Sequence, residues 1–367
     1  MTFTLVVSTA TAIISLVMFV ALVDQWRRRR HAFQAIWAGG MLWYAIGAGA
    51  EAVAVLGGWN EPLYRTWYLT GAMWTAAWLG LGTAFLLGRT RFGYAFALCL
   101  FLAGLLTIAT FAKFPAIYHD VASQAILYFI VAGVLAVAVA VATYFQSERW
   151  PILAGVAVVG ATVLSLILMI TATLPAPGWA VVPGTVTPAP DLFPPAIRLL
   201  TPFMNVTGGF ALILGALFSA YVFMPKRRVL GYSLDPTQPG EQFLFNLLIS
   251  PIAISVNFIA SLPGALRALL SRRIHSRVPA TILIAIGGFV PTFTDSLNRF
   301  GVIDFFSLGL LVGAVFIFLG FLVSIEVFHD LRVPFTGIIL RDARQERVAA
   351  PREAGLTTAE AERPAGA

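Results

Sequence analysis

The stretch that decides the architecture is FLFNLLISPIAISVNFIASLPGALRALL, Phe243 to Leu270. It is long and apolar enough to cross a bilayer. Pro251 and Pro263 interrupt it, and basic clusters flank it: Lys226, Arg227 and Arg228 before, Arg267, Arg272, Arg273 and Arg277 after. Lysine and arginine collect on the cytoplasmic side of membrane proteins. A single crossing would carry the second cluster, and everything beyond it, outside. We therefore expect a segment that enters and leaves on the cytoplasmic side, a re-entrant or interfacial helical hairpin. The alternative is a tilted span.

The rest of the chain supports that choice. Its 367 residues are 59% hydrophobic and 11% charged, about half the charge of a soluble domain. The apolar runs do not alternate as barrel strands do, so the fold class is an all-α polytopic transmembrane bundle. About nine spans are predicted, at 3–23, 32–56, 63–87, 92–112, 121–145, 151–174, 196–224, 279–300 and 303–328. With the N-terminus outside and the C-terminus cytoplasmic, all but four of the 24 lysines and arginines fall inside; Arg65, Lys113, Arg198 and Arg299 do not. The first apolar run precedes Arg27–Arg30 rather than following a basic segment, so it is expected to be a retained helix and not a cleaved signal. Four units result: a seven-helix module over 1–228, the hairpin over 229–278, a two-helix module over 279–330, and a tail over 331–367. The tail is rich in Ala, Glu, Arg and Pro without apolar period and is expected to be mostly disordered. The location expected is a cell membrane, plasma or bacterial inner.

Composition excludes several chemistries. The single cysteine, Cys99, allows no internal disulfide and no cysteine metal site. His31, His119, His275 and His329 fall at helix ends or in loops, which argues against a bis-histidine haem. Lys113 and Lys226 lie in loops, so no helix offers a Schiff-base lysine for retinal. No HExxH, nucleophile elbow, phosphate loop or carboxylate cluster is present. We expect no catalytic residue, cofactor or metal, and a protein that is not an enzyme. The net charge of +7 follows topology and is no sign of nucleic acid. The expected partners are the lipid bilayer, anionic lipid at the cytoplasmic basic clusters, and a further copy or other membrane subunits. Gly309 and Gly313, and the ridge Ala211, Gly215 and Ser219, are small-residue surfaces for close helix packing.

Ionisable groups within membrane helices are costly and mark candidate sites. Glu51 and Asp295 both stand in the outer third of their helices, with Arg65 and Arg299 near the same level, and Asn298 and Asn205 add amides. The functional reading is an outward polar vestibule. The structural reading is two local pairs, Glu51–Arg65 and Asp295–Arg299, the latter four apart on one helix face. Trp59, Tyr64, Trp67 and Tyr68 suit an interfacial belt, while Trp74 and Trp78 lie deeper and are either bundle core or, with Glu51, part of a ligand cage. Gly287, Gly288 and Pro291 predict a break in the helix after Pro279, as in discontinuous transporter helices, or else a kink supported by neighbours. These features point to a small-solute or ion transporter, or channel-like protein, with an outward-facing polar vestibule. The alternative is a non-enzymatic sensor or scaffold subunit of a membrane complex.

Overall fold

The computed structural model describes residues 2–113, 119–145, 148–233, 240–271, 274–299, 306–324, 330–332, 334–336 and 339–342; for 2, 113, 119, 240–241, 295–299, 330–332 and 339–342 this is the backbone alone. The tail beyond 342 lies outside the described residues.

Uninterrupted apolar runs satisfy their backbone groups internally, and among the described residues that produces ten helices long and apolar enough to cross a membrane. They are α1 (Thr2–Arg29), α2 (Ala32–Gly57), α3 (Glu61–Leu86), α4 (Gly93–Lys113), α5 (Ala122–Phe145), α6 (Trp150–Thr171), α7 (Pro195–Phe223), α8 (Gly240–Leu270), α9 (Arg277–Arg299) and α10 (Phe306–Val323). A short antiparallel ribbon of β1 (Asp330–Arg332) and β2 (Ile339–Asp342) follows. Large apolar side chains stay exposed along the flanks, among them Ile130, Val134, Val137, Val141 and Phe145 of α5. Such a belt is stable against hydrocarbon and not against water. The chain is an integral, multi-pass membrane protein.

Two packed cores organise the bundle. One is rich in aromatics and runs from α2 through α7. The other joins α1, α2, α3 and α7 to α9 and α10 through Met18, Trp37, Met41, Leu79, Leu212, Ile284, Ile317 and Phe321. In this second core α2, α3, α7, α9 and α10 form a ring, with α1 packed across the junction of α2 and α10. Small residues set its close approaches. Gly40 faces Leu79, Gly47 lies against the backbone of Gly71, and Gly80 meets the backbone of Gly208.

The break expected at Gly287, Gly288 and Pro291 is absent: α9 is continuous from Arg277 to Arg299 with Pro291 inside it. The two glycines are contact surfaces. A Cβ on Gly287 would stand 2.7 Å from the backbone nitrogen of Ile317, and one on Gly288 would reach Ile213 and Leu212. Pro291 offers no N–H to the Gly287 carbonyl. That oxygen instead faces Gly313, whose absent Cβ would lie 2.9 Å from it, and the Pro291 ring packs on the same glycine. The neighbouring helix thus supports the proline, as the kink reading required. Gly309 and Gly313 do serve close packing, here between α10 and α9 at Thr294 and Pro291.

The hairpin expected over Phe243–Leu270 is also corrected. α8 is one helix of 31 residues that runs through Pro251 and Pro263. The carbonyl of Leu247, left without its usual donor by Pro251, accepts the Ser250 hydroxyl at 2.9 Å. The neighbours of α8 all belong to the arginine-rich end of the bundle. Phe243 packs on Tyr94 and Tyr144 at the ends of α4 and α5. Asn257 accepts from the backbone N–H of Val229 and of Leu230 and donates to the Leu230 carbonyl, and Ser261 accepts from Arg227 N–H. Ala265 packs near Val278 at the start of α9. From residue 243 to 265 a helix advances about 33 Å, and both points lie at the same end of the bundle. Among the described residues nine helices therefore run through the bundle, and α8 lies flat across one end of it.

Candidate functional site

Glu51 is buried on α2, and its Oε1 accepts a hydrogen bond from the Ser307 hydroxyl of α10 at 2.8 Å. Two turns earlier on the same face, the Tyr44 hydroxyl donates to the Leu310 carbonyl at 2.8 Å. These polar contacts tie α2 to α10 across an apolar seam. One hydroxyl satisfies a carboxylate only in part, so Glu51 is an expensive residue to keep at this depth.

Arg65 is not its partner. The guanidinium binds Glu61, four residues away on the first turn of α3, with Nε to Oε1 at 2.9 Å. It also caps the end of α6 by donating to the carbonyls of Met169 and Ala172, the latter at 2.7 Å. Alanine at position 65 is expected to cost about 1–3 kcal/mol, because it leaves those carbonyls and Glu61 without their charged donor. A clear drop in the detergent thermal midpoint would show it; an unchanged midpoint would contradict this role.

Trp74 and Trp78 are bundle core. Between Trp67 and Thr75 the backbone of α3 takes a π-helical turn, Tyr68–Trp74, with the Thr75 hydroxyl donating to the Thr70 carbonyl at 2.7 Å. Gly71 of this turn lies against Gly47 of α2. Such a turn re-aims the residues after it. Here Trp74 Nε1 donates to Ser165 Oγ at 2.9 Å and Trp78 Nε1 to Thr162 Oγ1 at 3.2 Å, both on α6. Trp43 of α2 sits edge-on to both rings. It is one residue from Tyr44 and so is turned about 100° from the face that carries Glu51. The deep tryptophans and the carboxylate do not form one cage.

The shallower aromatics form a plug rather than a belt. Tyr64 and Tyr68 stack on Phe193 at 4.5 and 4.2 Å, Trp59 and Trp67 pack around Tyr64, and all four are buried. The connection from α6 to α7 lies over them: Trp59 Nε1 donates to the Val186 carbonyl at 3.0 Å and the Tyr64 hydroxyl to that of Ala189. These contacts fill the first core at the end of the bundle opposite the arginines.

The side chains of Asp295, Asn298 and Arg299 lie outside the described residues, but their backbone places the turn. Thr294 of α9 packs on Gly309 of α10 and Pro291 on Gly313. Running this antiparallel register on by three residues brings 296–297 level with Ser307, the partner of Glu51. Asn205 of α7 is half-buried. Its helix meets α9 at Gly288–Ile213 and Gly209–Thr292, so Asn205 lies opposite residue 296. No protein-family model matches the chain, and no curated protein or solved structure proves similar to it.

Sequence reasoning missed an opening in the ring. A cavity of about 350 Å³ enters at the arginine-rich end, between the starts of α2 and α9 and the ends of α3, α7 and α10. Its polar lining includes His31, Thr83, Thr90, Ser219, Arg277 and Thr281. The Arg277 guanidinium stands over the Phe223 ring at 4.4 Å. Nearby, His275 stacks on that ring, and its Nδ1 accepts the Arg277 N–H at 3.2 Å. Burial first, and then the Arg277 charge, lower the proton affinity of this imidazole. Beyond the cavity the ring is filled by Met41, Leu79, Leu212 and Ile317.

Proposed function

We propose that the protein carries a small solute or ion across the membrane through the ring of α2, α3, α7, α9 and α10, and that it is not an enzyme. The observation that carries this reading is the cavity: about 350 Å³, open at one end of the ring and closed beyond by an apolar layer. One open and one closed end is the geometry of alternating access caught in one state. Arg277, His31 and five hydroxyls on its wall, those of Thr83, Thr90, Ser219, Thr281 and Ser324, suit a small organic or inorganic anion. In this reading Glu51 and Asp295 gate the far end. Opening there requires α2 and α10 to part, which breaks the Glu51–Ser307 and Tyr44–Leu310 bonds. Asp295, with Asn298 and Arg299, is on the α9 turn that faces the Ser307 level. The filled far end also suits a sensor or scaffold subunit that moves nothing.

Sidedness is the first test. In a Cys99→Ala background, Thr281→Cys is expected to react with a membrane-impermeant maleimide added from the arginine-rich side and to be protected from the other. Ser307→Cys is expected to be protected from both. Labelling of Thr281→Cys from the opposite side, or from neither, would remove the basis for the pathway.

A further inference from the structure

We infer that α8 is a membrane-parallel helix that binds an anionic phospholipid. The headgroup sits in a basic notch on one flank of the helix, and the acyl chains lie along its outward face. Burial along α8 divides the helix in two. Phe243, Ser250, Ala253, Asn257, Ser261 and Ala265 face the bundle. On the opposite side Leu244, Phe245, Leu248, Ile252, Ile259 and Leu266 are exposed, with no charged residue among them.

That outward face points sideways, toward hydrocarbon. The helix packs against Tyr221 and Phe223 in the last turn of α7 and Ile282 in the second turn of α9. Phe243 packs edge-on against Tyr144, and the next residue, Phe145, continues into the exposed apolar flank of α5. The outward face of α8 is thus continuous with the surface already covered by lipid. A helix lying at this depth buries its apolar side at the boundary of headgroups and acyl chains.

The notch lies between the two faces. It has a volume of about 310 Å³, and Lys226, Arg227, Ser261, Pro263, Gly264 and Arg267 line it. Among the described residues, none of its three cations is in an ion pair. Lys226 Nζ stands over the Tyr221 ring at 5.6 Å, and with Arg227 and Arg267 it places three cations on one small concavity, which fits a phosphate diester. The adjacent apolar face accounts for a lipid rather than a soluble phosphate.

Native mass spectrometry of the full chain in detergent, titrated with phosphatidylglycerol or phosphatidylcholine of equal chain length, tests the notch. Phosphatidylglycerol is expected to bind at least about tenfold tighter. The triple variant Lys226→Ala, Arg227→Ala, Arg267→Ala should abolish the difference, and millimolar glycerol 3-phosphate should fail to displace the lipid. Equal binding of the two lipids, a preference that survives in the triple variant, or displacement by glycerol 3-phosphate would each overturn the proposal. A second reading needs no change to the notch. A fluorophore on Leu248→Cys, in a Cys99→Ala background, should be quenched by brominated phosphatidylglycerol in nanodiscs. An unquenched label would show that a protein surface, and not lipid, covers the helix, and would equally overturn it.

Discussion

Leucine in place of Gly208 is expected to prevent assembly of the bundle. This is where α3 and α7 touch backbone to backbone. A Cβ on Gly208 would stand 2.2 Å from the Ala76 carbonyl oxygen and 2.4 Å from the Ala77 α-carbon, and one on Gly80 would stand 2.3 Å from the Gly208 oxygen. No flexible side chain is there to yield, so the helices themselves must separate. Separation would undo the neighbouring contacts as well, because Gly215, two turns on, is as close to Thr83 at 2.3 Å. In a membrane such dispersion packing is a main source of helix association. The loss should exceed about 4 kcal/mol, at the far end of single-substitution effects. Gly160 supplies the control: open space surrounds it, and leucine there should change stability by less than about 0.5 kcal/mol. Yield of monodisperse protein and the thermal midpoint in detergent report both. A Gly208→Leu protein that melts like the parent would contradict the close crossing.

The sequence displays some of this and hides the rest, for physical reasons. The helices are legible because a membrane demands long apolar runs with satisfied backbones. The side on which α8 lies is legible because positive charge stands on both its flanks. Its continuity is not, since Pro251 is tolerated through a single Ser250 hydroxyl that no hydropathy pattern reports. Likewise Pro291 reads as a break until Gly313 is seen beneath it. At the candidate site, Arg65 pairs locally and not with Glu51: Glu61 lies four residues before it, the spacing of a helix-surface ion pair. Ser307, the observed partner of Glu51, is 256 positions away, and nothing local announces it. The π-helical turn that aims Trp74 and Trp78 at α6 leaves no periodic trace, and the cavity is formed by the ends of five helices, each of which reads as an ordinary helix end.

The second large effect concerns transport. Ser219 is buried on α7 and lines the cavity. Tryptophan there is expected to occupy the opening without disturbing the helix crossings, because it grows into space already empty. The measurement is uptake of labelled acetate, succinate and inorganic phosphate into proteoliposomes, for the parent and for Ser219→Trp, with thermal midpoints of both in detergent. At least one of these anions is expected to enter parent proteoliposomes about tenfold faster than protein-free liposomes. Uptake by Ser219→Trp is expected to fall to background while its midpoint stays at the parent value. Parent uptake no faster than in protein-free liposomes, or equal uptake by the two proteins, would contradict a transport pathway through the ring.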